Sequence, residues 1–108
     1  MSISLSIQNT QLGPENAREV PIATHEVFRN DWAPASLALG LIWIPLFEQG
    51  LPVSGDDLKD ILAELHKLDS WLAANRPEVA ARIAQRIGGL ISTLEALESV
   101  ESMEIYIG

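Results

Sequence analysis

The spacing of apolar residues changes along this chain, and each change marks a new element. From Ser2 to Gln8 the chain reads SISLSIQ, with Ile3, Leu5 and Ile7 alternating with polar residues. That period of two predicts a strand buried on one face. The C-terminal SMEIYIG repeats the pattern, with Met103, Ile105 and Ile107 set against Glu104 and Tyr106. Isolated strands are marginal, so the simplest arrangement pairs the two termini beside a helical layer. Asn9 to Asn16, with Gly13-Pro14, reads as a turn or loop. Val20, Pro21 and Ile22 read as a short extended piece that its proline confines to an edge. If no third strand joins the pair, the open edge can accept a strand from another subunit or a partner.

Helical spacing dominates the second half. Leu58, Ile61, Leu62, Leu65, Leu68 and Leu72 form one apolar stripe on a helix from Ser54 to Leu72. Ser54 and Asp57 make a capping-box variant, and Asp56 and Asp57 complement the positive end of the helix dipole. Asn75 is read as the cap of a following helix, with Pro77 in its first turn. Val79, Ile83, Ile87, Leu90, Leu94 and Leu97 supply that helix's stripe, and the short link around Ala74 to Pro77 predicts an antiparallel hairpin reaching Ser99. Gly88-Gly89 within it predicts close backbone packing or a bend.

Between these regions the pattern is less regular. Thr24 is read as the N-cap of a short turn carrying Val27 and Phe28, and Asp31 as the cap of the next segment. Pro34 to Phe47 is apolar nearly all round, which predicts a central helix kinked or ended by Pro45. A strand within Leu39 to Ile44 is the alternative, because Ile42, Trp43 and Ile44 favour sheets. Gly50, Pro52 and Gly55 read as a connection. Trp32 and Trp43 are assigned to the core. The resulting expectation is an α+β fold: a small antiparallel sheet from the terminal strands, packed on a mostly helical layer with a long helical hairpin.

At 108 residues the chain has the length of one domain, so 1–108 is read as a single core. Met1 to Asn9 lacks the basic start and long apolar run of a signal peptide. The apolar stretch Leu37 to Phe47 is shorter than the roughly 20 residues of a membrane-spanning helix, so no membrane association is expected and cytoplasmic residence is the default. There is no cysteine, which removes disulfides and thiolate metal sites.

Charge adds the first functional information. Fifteen Asp and Glu stand against seven Lys and Arg, a formal charge of −8. Such a field repels phosphate backbones and speeds encounter with a basic partner. Direct nucleic-acid binding is therefore not expected. Acidity also simply keeps a small protein soluble, and that reading stays open. Asp57, Asp60, Glu64 and Trp71 fall on a second stripe of the first long helix, roughly 100° from the apolar one. Trp71 is either an interface anchor or a residue packed under the segment before Gly50. Asp69 is placed at a boundary near the hairpin turn. Glu95, Glu98, Glu101 and Glu104 follow Arg86 with no basic residue among them. Arg76, Arg82 and Arg86 are expected to pair with Asp60, Glu64 or Asp69 across the hairpin, each exposed pair adding less than about 1 kcal/mol.

The chemical motifs of common enzymes are missing. His25-Glu26 is followed by Arg29 where a zinc-protease helix needs a second histidine, and His66 stands alone on its helix. No serine elbow, phosphate-binding loop or dinucleotide fingerprint occurs. Carboxylates are plentiful, yet nothing distinguishes a general acid–base pair. The expectation is a non-enzymatic chain with no cofactor and no metal, although residues 37–47 could line a ligand pocket.

The size, acidity, terminal strands and the segment LFEQGLPVSGDDLKDILAELHKLDSWL together resemble small bacterial immunity proteins, which bind and block a cognate toxin in contact-dependent or secretion-mediated competition. The resemblance implies stoichiometric inhibition, with an acidic surface covering the basic active site or substrate groove of a toxin domain, a nuclease among the candidates. It carries over no functional residue. The residues themselves nominate Asp57, Asp60, Glu64, Trp71, Glu95, Glu98, Glu101 and Glu104 as partner contacts. The alternative is a homodimer of structural or regulatory purpose, formed through the strand edge or the hairpin.

Overall fold

The computed structural model describes residues 2–9, 18–97 and 103–108. Its sheet has four antiparallel strands: β1 (Ser2–Asn9), β2 (Arg18–Thr24), β3 (Leu51–Val53) and β4 (Met103–Ile107), in the order β2-β1-β4-β3. The two terminal strands are central neighbours, with Leu5 opposite Ile107 and Ile7 opposite Ile105. Alternation then works as the sequence implies. Ile3, Leu5, Ile7, Ile22, Leu51, Val53, Ile105 and Ile107 are all buried on one face. Glu104, Tyr106 and Pro52 stand on the other.

β2 lies at an edge, where Pro21 can be tolerated. The short strand β3 was read from sequence as a mere connection, and that reading is corrected. Three residues with a central proline carry almost no strand signal; pairing with β4 points Leu51 and Val53 inward and leaves Pro52 out. Both edges of the sheet thus contain a proline, which has no N–H to offer an additional strand. That chemistry counts against edge-to-edge association. At the start of β3, Gly50 adopts φ +89°, and the Tyr106 ring occupies the space that a Cβ there would need.

Helices α3 (Gly55–Asn75) and α4 (Pro77–Leu97) form the expected hairpin. Their stripes are buried as read, and Ile91 and Trp71 pack beside them. The backbone N–H of Ser54 donates to Asp57 Oδ2 at 3.1 Å, one half of the capping box. Asn75 is not the cap of α4. It ends α3, where its Nδ2 donates back to the Trp71 carbonyl at 2.9 Å. Gly88 and Gly89 are exposed, with nothing within 4 Å of an added Cβ. Close backbone packing therefore does not explain them, and that part of the expectation is corrected.

The segment from 25 to 48 departs most from its sequence reading. Thr24 does cap α1 (His25–Val27), accepting from the Val27 N–H at 3.1 Å. A π-helical turn follows at Phe28–Trp32, then α2 (Ala33–Leu39), then a 3-10 turn at Ile44–Glu48. Asp31 caps nothing; it lies within the π turn, buried beside the buried Trp32. Phe28, Trp32 and Phe47 hold the segment to the core as an aromatic cluster, with Phe28 6.0 Å from Trp32 and 6.4 Å from Phe47.

The continuous central helix over Pro34 to Phe47 does not form, and neither does the alternative strand. Gly40 stops α2 in the left-handed conformation, φ +67°. The Gly40 N–H donates to the Leu37 carbonyl and the Leu41 N–H to the Ser36 carbonyl, the two bonds of a Schellman ending. Pro45 sits in the first turn of the 3-10 helix, where its missing donor costs little. Trp43 is half-buried against the core rather than enclosed in it, whereas Trp32 is enclosed as expected.

Candidate acidic and apolar surface

Glu64 was expected on an accessible acidic edge, and the fold uses it otherwise. It projects from the middle of α3 toward the loop after α2 and is 9% exposed. Its two carboxylate oxygens accept hydrogen bonds from three successive backbone N–H groups. Ile42 donates at 2.9 Å, Trp43 at 2.9 and 3.1 Å, and Ile44 at 3.0 Å. These are the donors that the start of a helical turn leaves open, and a carboxylate is the acceptor they favour most. Glu64 is therefore a clamp on the loop. It is not available as a partner contact.

The other candidates fall into four groups. Asp57 is half-buried and committed to the Ser54 N–H. Asp60, Glu95 and Glu104 are exposed and make no ion pair with a described residue. Glu98 and Glu101 lie outside the described residues. Trp71 is half-buried and packs against the core, and it shares a shallow depression with Leu39, His66, Lys67 and Ser70. Glu104 lines a second depression of about 490 Å³ on the outer face of the sheet, with Ser6, Gln8, Pro52 and Tyr106. Asp60 and Glu104 thus stand on different elements, α3 and β4. Asp69 is exposed, as its boundary placement implied.

Arg76 and Arg82 pair with other acids than Asp60, Glu64 or Asp69, and Arg86 makes no ion pair with a described residue. Arg82 reaches across to the π turn, with Nη2 2.9 Å from Asp31 Oδ1 and Nε 3.4 Å from Oδ2. This hydrogen-bonded contact to Asp31 pushes the Arg82 pKa further up. Arg76 Nε lies 3.0 Å from Glu78 Oε1, and that hydrogen bond holds the Glu78 carboxyl below its usual range. Arg29 pairs with Glu48 at 2.6 Å, tying the π turn to the 3-10 turn.

The segment running from α2 through the loop that Glu64 clamps to the 3-10 turn carries large exposed apolar side chains. Leu37 is 74% exposed, Ile42 71% and Leu46 37%. Set against known proteins, the chain matches no family model, no curated protein and no solved structure. The site must therefore be argued from its own chemistry. It offers a surface: a clamped aliphatic ridge, with the exposed Asp60 one helical turn before the clamping Glu64. No helix of the described residues is long and apolar enough to cross a membrane. Sequence reasoning missed the ridge because it assigned residues 34–47 wholesale to the core. Gly40 was the available signal, since glycine after an apolar helical run marks a helix end.

Proposed function

We propose that this chain is a non-enzymatic protein-binding inhibitor, an immunity-type partner that neutralises a basic toxin domain in the cytoplasm. The observation carrying this reading is how the fold distributes its charge. Arg29, Arg76 and Arg82 are engaged in internal ion pairs. Asp56, Asp60 and Asp69 on α3, Glu95 on α4 and Glu104 on β4 are exposed without such a pair among the described residues. The three pairs take up as many carboxylates as cations, so the acid excess of a chain of net charge −8 stays on the surface. Such a surface steers a basic protein into encounter and repels nucleic acid, so a nuclease groove is a suitable target.

The test is growth rescue. The product of the adjacent reading frame is expressed with and without this chain. The expected result is restored growth and a one-to-one complex whose association slows steeply as salt rises. A neighbour whose toxicity is untouched by this chain, together with a stable homodimer in sedimentation, would replace the inhibitor with a self-associating protein.

A further inference from the structure

We infer that the depression on the outer face of the sheet is a docking site for an arginine side chain of a basic protein, stacked on Tyr106 and hydrogen-bonded to Glu104. The inference rests on the inhibitor reading above and names the surface it uses. Strand register brings the two groups together. Glu104 and Tyr106 are two residues apart on β4, so both point outward, about 7 Å from one another along the strand. Gln8 stands opposite Glu104, and Ser6 and Pro52 stand opposite Tyr106 on either side. These residues line one concavity of about 490 Å³. β3 ends at Val53, opposite Ile105, so it supplies no strand residue beside Glu104 and the sheet narrows there.

Charge selects the occupant. Glu19 on β2 stands opposite Ser6, in the same outward row as Tyr106. Glu19 and Glu104 are both exposed and make no ion pair with a described residue. The lining of the concavity contains no lysine, arginine or histidine. Arg18, the basic residue of β2, stands opposite the buried Ile7 and so belongs to the other face. A cation arriving at this face therefore meets carboxylates and no positive group of the sheet.

The aromatic ring narrows the cation to a guanidinium. Tyr106 is 47% exposed, yet its ring is seated against Gly50, where a Cβ would stand, so its place is set before anything binds. A guanidinium is planar and weakly hydrated. It can lie on the ring while its in-plane N–H groups donate to Glu104 and Gln8. An ammonium is a strongly hydrated point charge, which an open depression leaves in water.

The experiment titrates the isotope-labelled chain with N-acetyl-argininamide, and compares N-acetyl-lysinamide and the neutral N-acetyl-citrullinamide. Tyr106 is the only tyrosine of the chain, so its ring resonances report the site directly. Saturable shifts at Ser6, Gln8, Glu104 and the Tyr106 ring are expected with the arginine probe, weaker ones with lysine and none with citrulline. Glu104→Gln should weaken the arginine probe about five-fold or more, and Tyr106→Leu about three-fold. Asp60→Asn, on α3, should leave it unaltered. The Glu104 side chain is exposed, so an unchanged thermal midpoint verifies that its variant folds. Shifts spread over the exposed acids at large, or an equal response to lysine, would overturn the assignment.

Growth rescue separates the site from the inhibitor reading. The Glu104→Gln/Tyr106→Leu chain should rescue at least ten-fold fewer cells than the unaltered chain. Rescue undiminished in that variant would overturn the docking site and leave the inhibitor reading standing. An unaltered chain that rescues nothing would remove the inhibitor reading, while the titration, which needs no partner, decides the arginine site by itself.

Discussion

The α3–α4 hairpin and the segment from 33 to 48 treat side chains in opposite ways. In the hairpin, apolar stripes are buried and most polar positions face water, as amphipathic helices require. In the segment, Leu37 and Ile42 face water, while the acid that organises the loop, Glu64, is drawn out of water from the neighbouring helix. The difference follows from backbone donors. Regular helices satisfy their own N–H groups internally, so side chains are free to sort by polarity. A loop opening into a 3-10 turn leaves consecutive N–H groups without partners, and a buried carboxylate that supplies them stabilises the loop more than an apolar residue at position 64 could.

The sharpest way to break this contrast is to remove the clamp. Glu64→Ala should destabilise the fold by about 2–4 kcal/mol, because several partly buried donors lose a charged acceptor. Glu64→Gln should cost less, since its amide oxygen keeps some of the bonds while its NH₂ meets donors. Ile42→Ser, on the same loop but in water, should change stability by no more than about 0.5 kcal/mol. Urea unfolding of the three variants orders them. Equal losses for Glu64→Ala and Ile42→Ser would erase the distinction between the two regions.

A second experiment sharpens the hairpin side. Gly88 and Gly89 sit in the interior of α4 with open space where a Cβ would go. Alanine at each should stabilise by about 0.5–1 kcal/mol, chiefly by restricting the unfolded chain. A loss of stability on either substitution would mean that the glycines answer to packing after all.

The smallest expected effect concerns the surface pair at the start of α4. Arg76 holds Glu78 below its ordinary pKa of 4.5. A carboxylate depressed in the folded state contributes stability that is present above its unfolded pKa and is lost as pH falls through the lower folded value. Glu78→Gln should therefore make the acid side of the stability curve slightly shallower below about pH 4.5 and leave neutral pH nearly unchanged. The effect is small because the pair is exposed and screened. Thermal midpoints measured from pH 3 to 7 provide the check.

Legibility followed the range of the interactions. The terminal strands, the edge position of Pro21, the α3 and α4 stripes and the capping residues Thr24, Ser54 and Asp57 could all be read, because each depends on local periodicity or on a partner three residues away. The strand β3 could not, since Leu51-Pro52-Val53 becomes a strand only by lying against β4. The partner of Arg82 was misassigned for a similar reason: Asp31 is 51 residues away and comes within reach only in the folded chain. The acidic candidates divided once placed. Asp60, Glu95 and Glu104 kept exposed carboxylates, whereas Asp57 and Glu64 were absorbed by backbone donors.

The amino-acid pattern by itself determined that this chain builds an α+β domain with a terminal strand pair, a long helical hairpin and a strongly acidic surface. Tertiary structure alone decided which acid serves the fold and which faces outward, and it turned a stretch that reads as core into an exposed ridge. The physical reason is that a residue's own spacing sets the face it occupies, but the loops of distant elements decide whether that face meets water, apolar side chains or unsatisfied N–H groups.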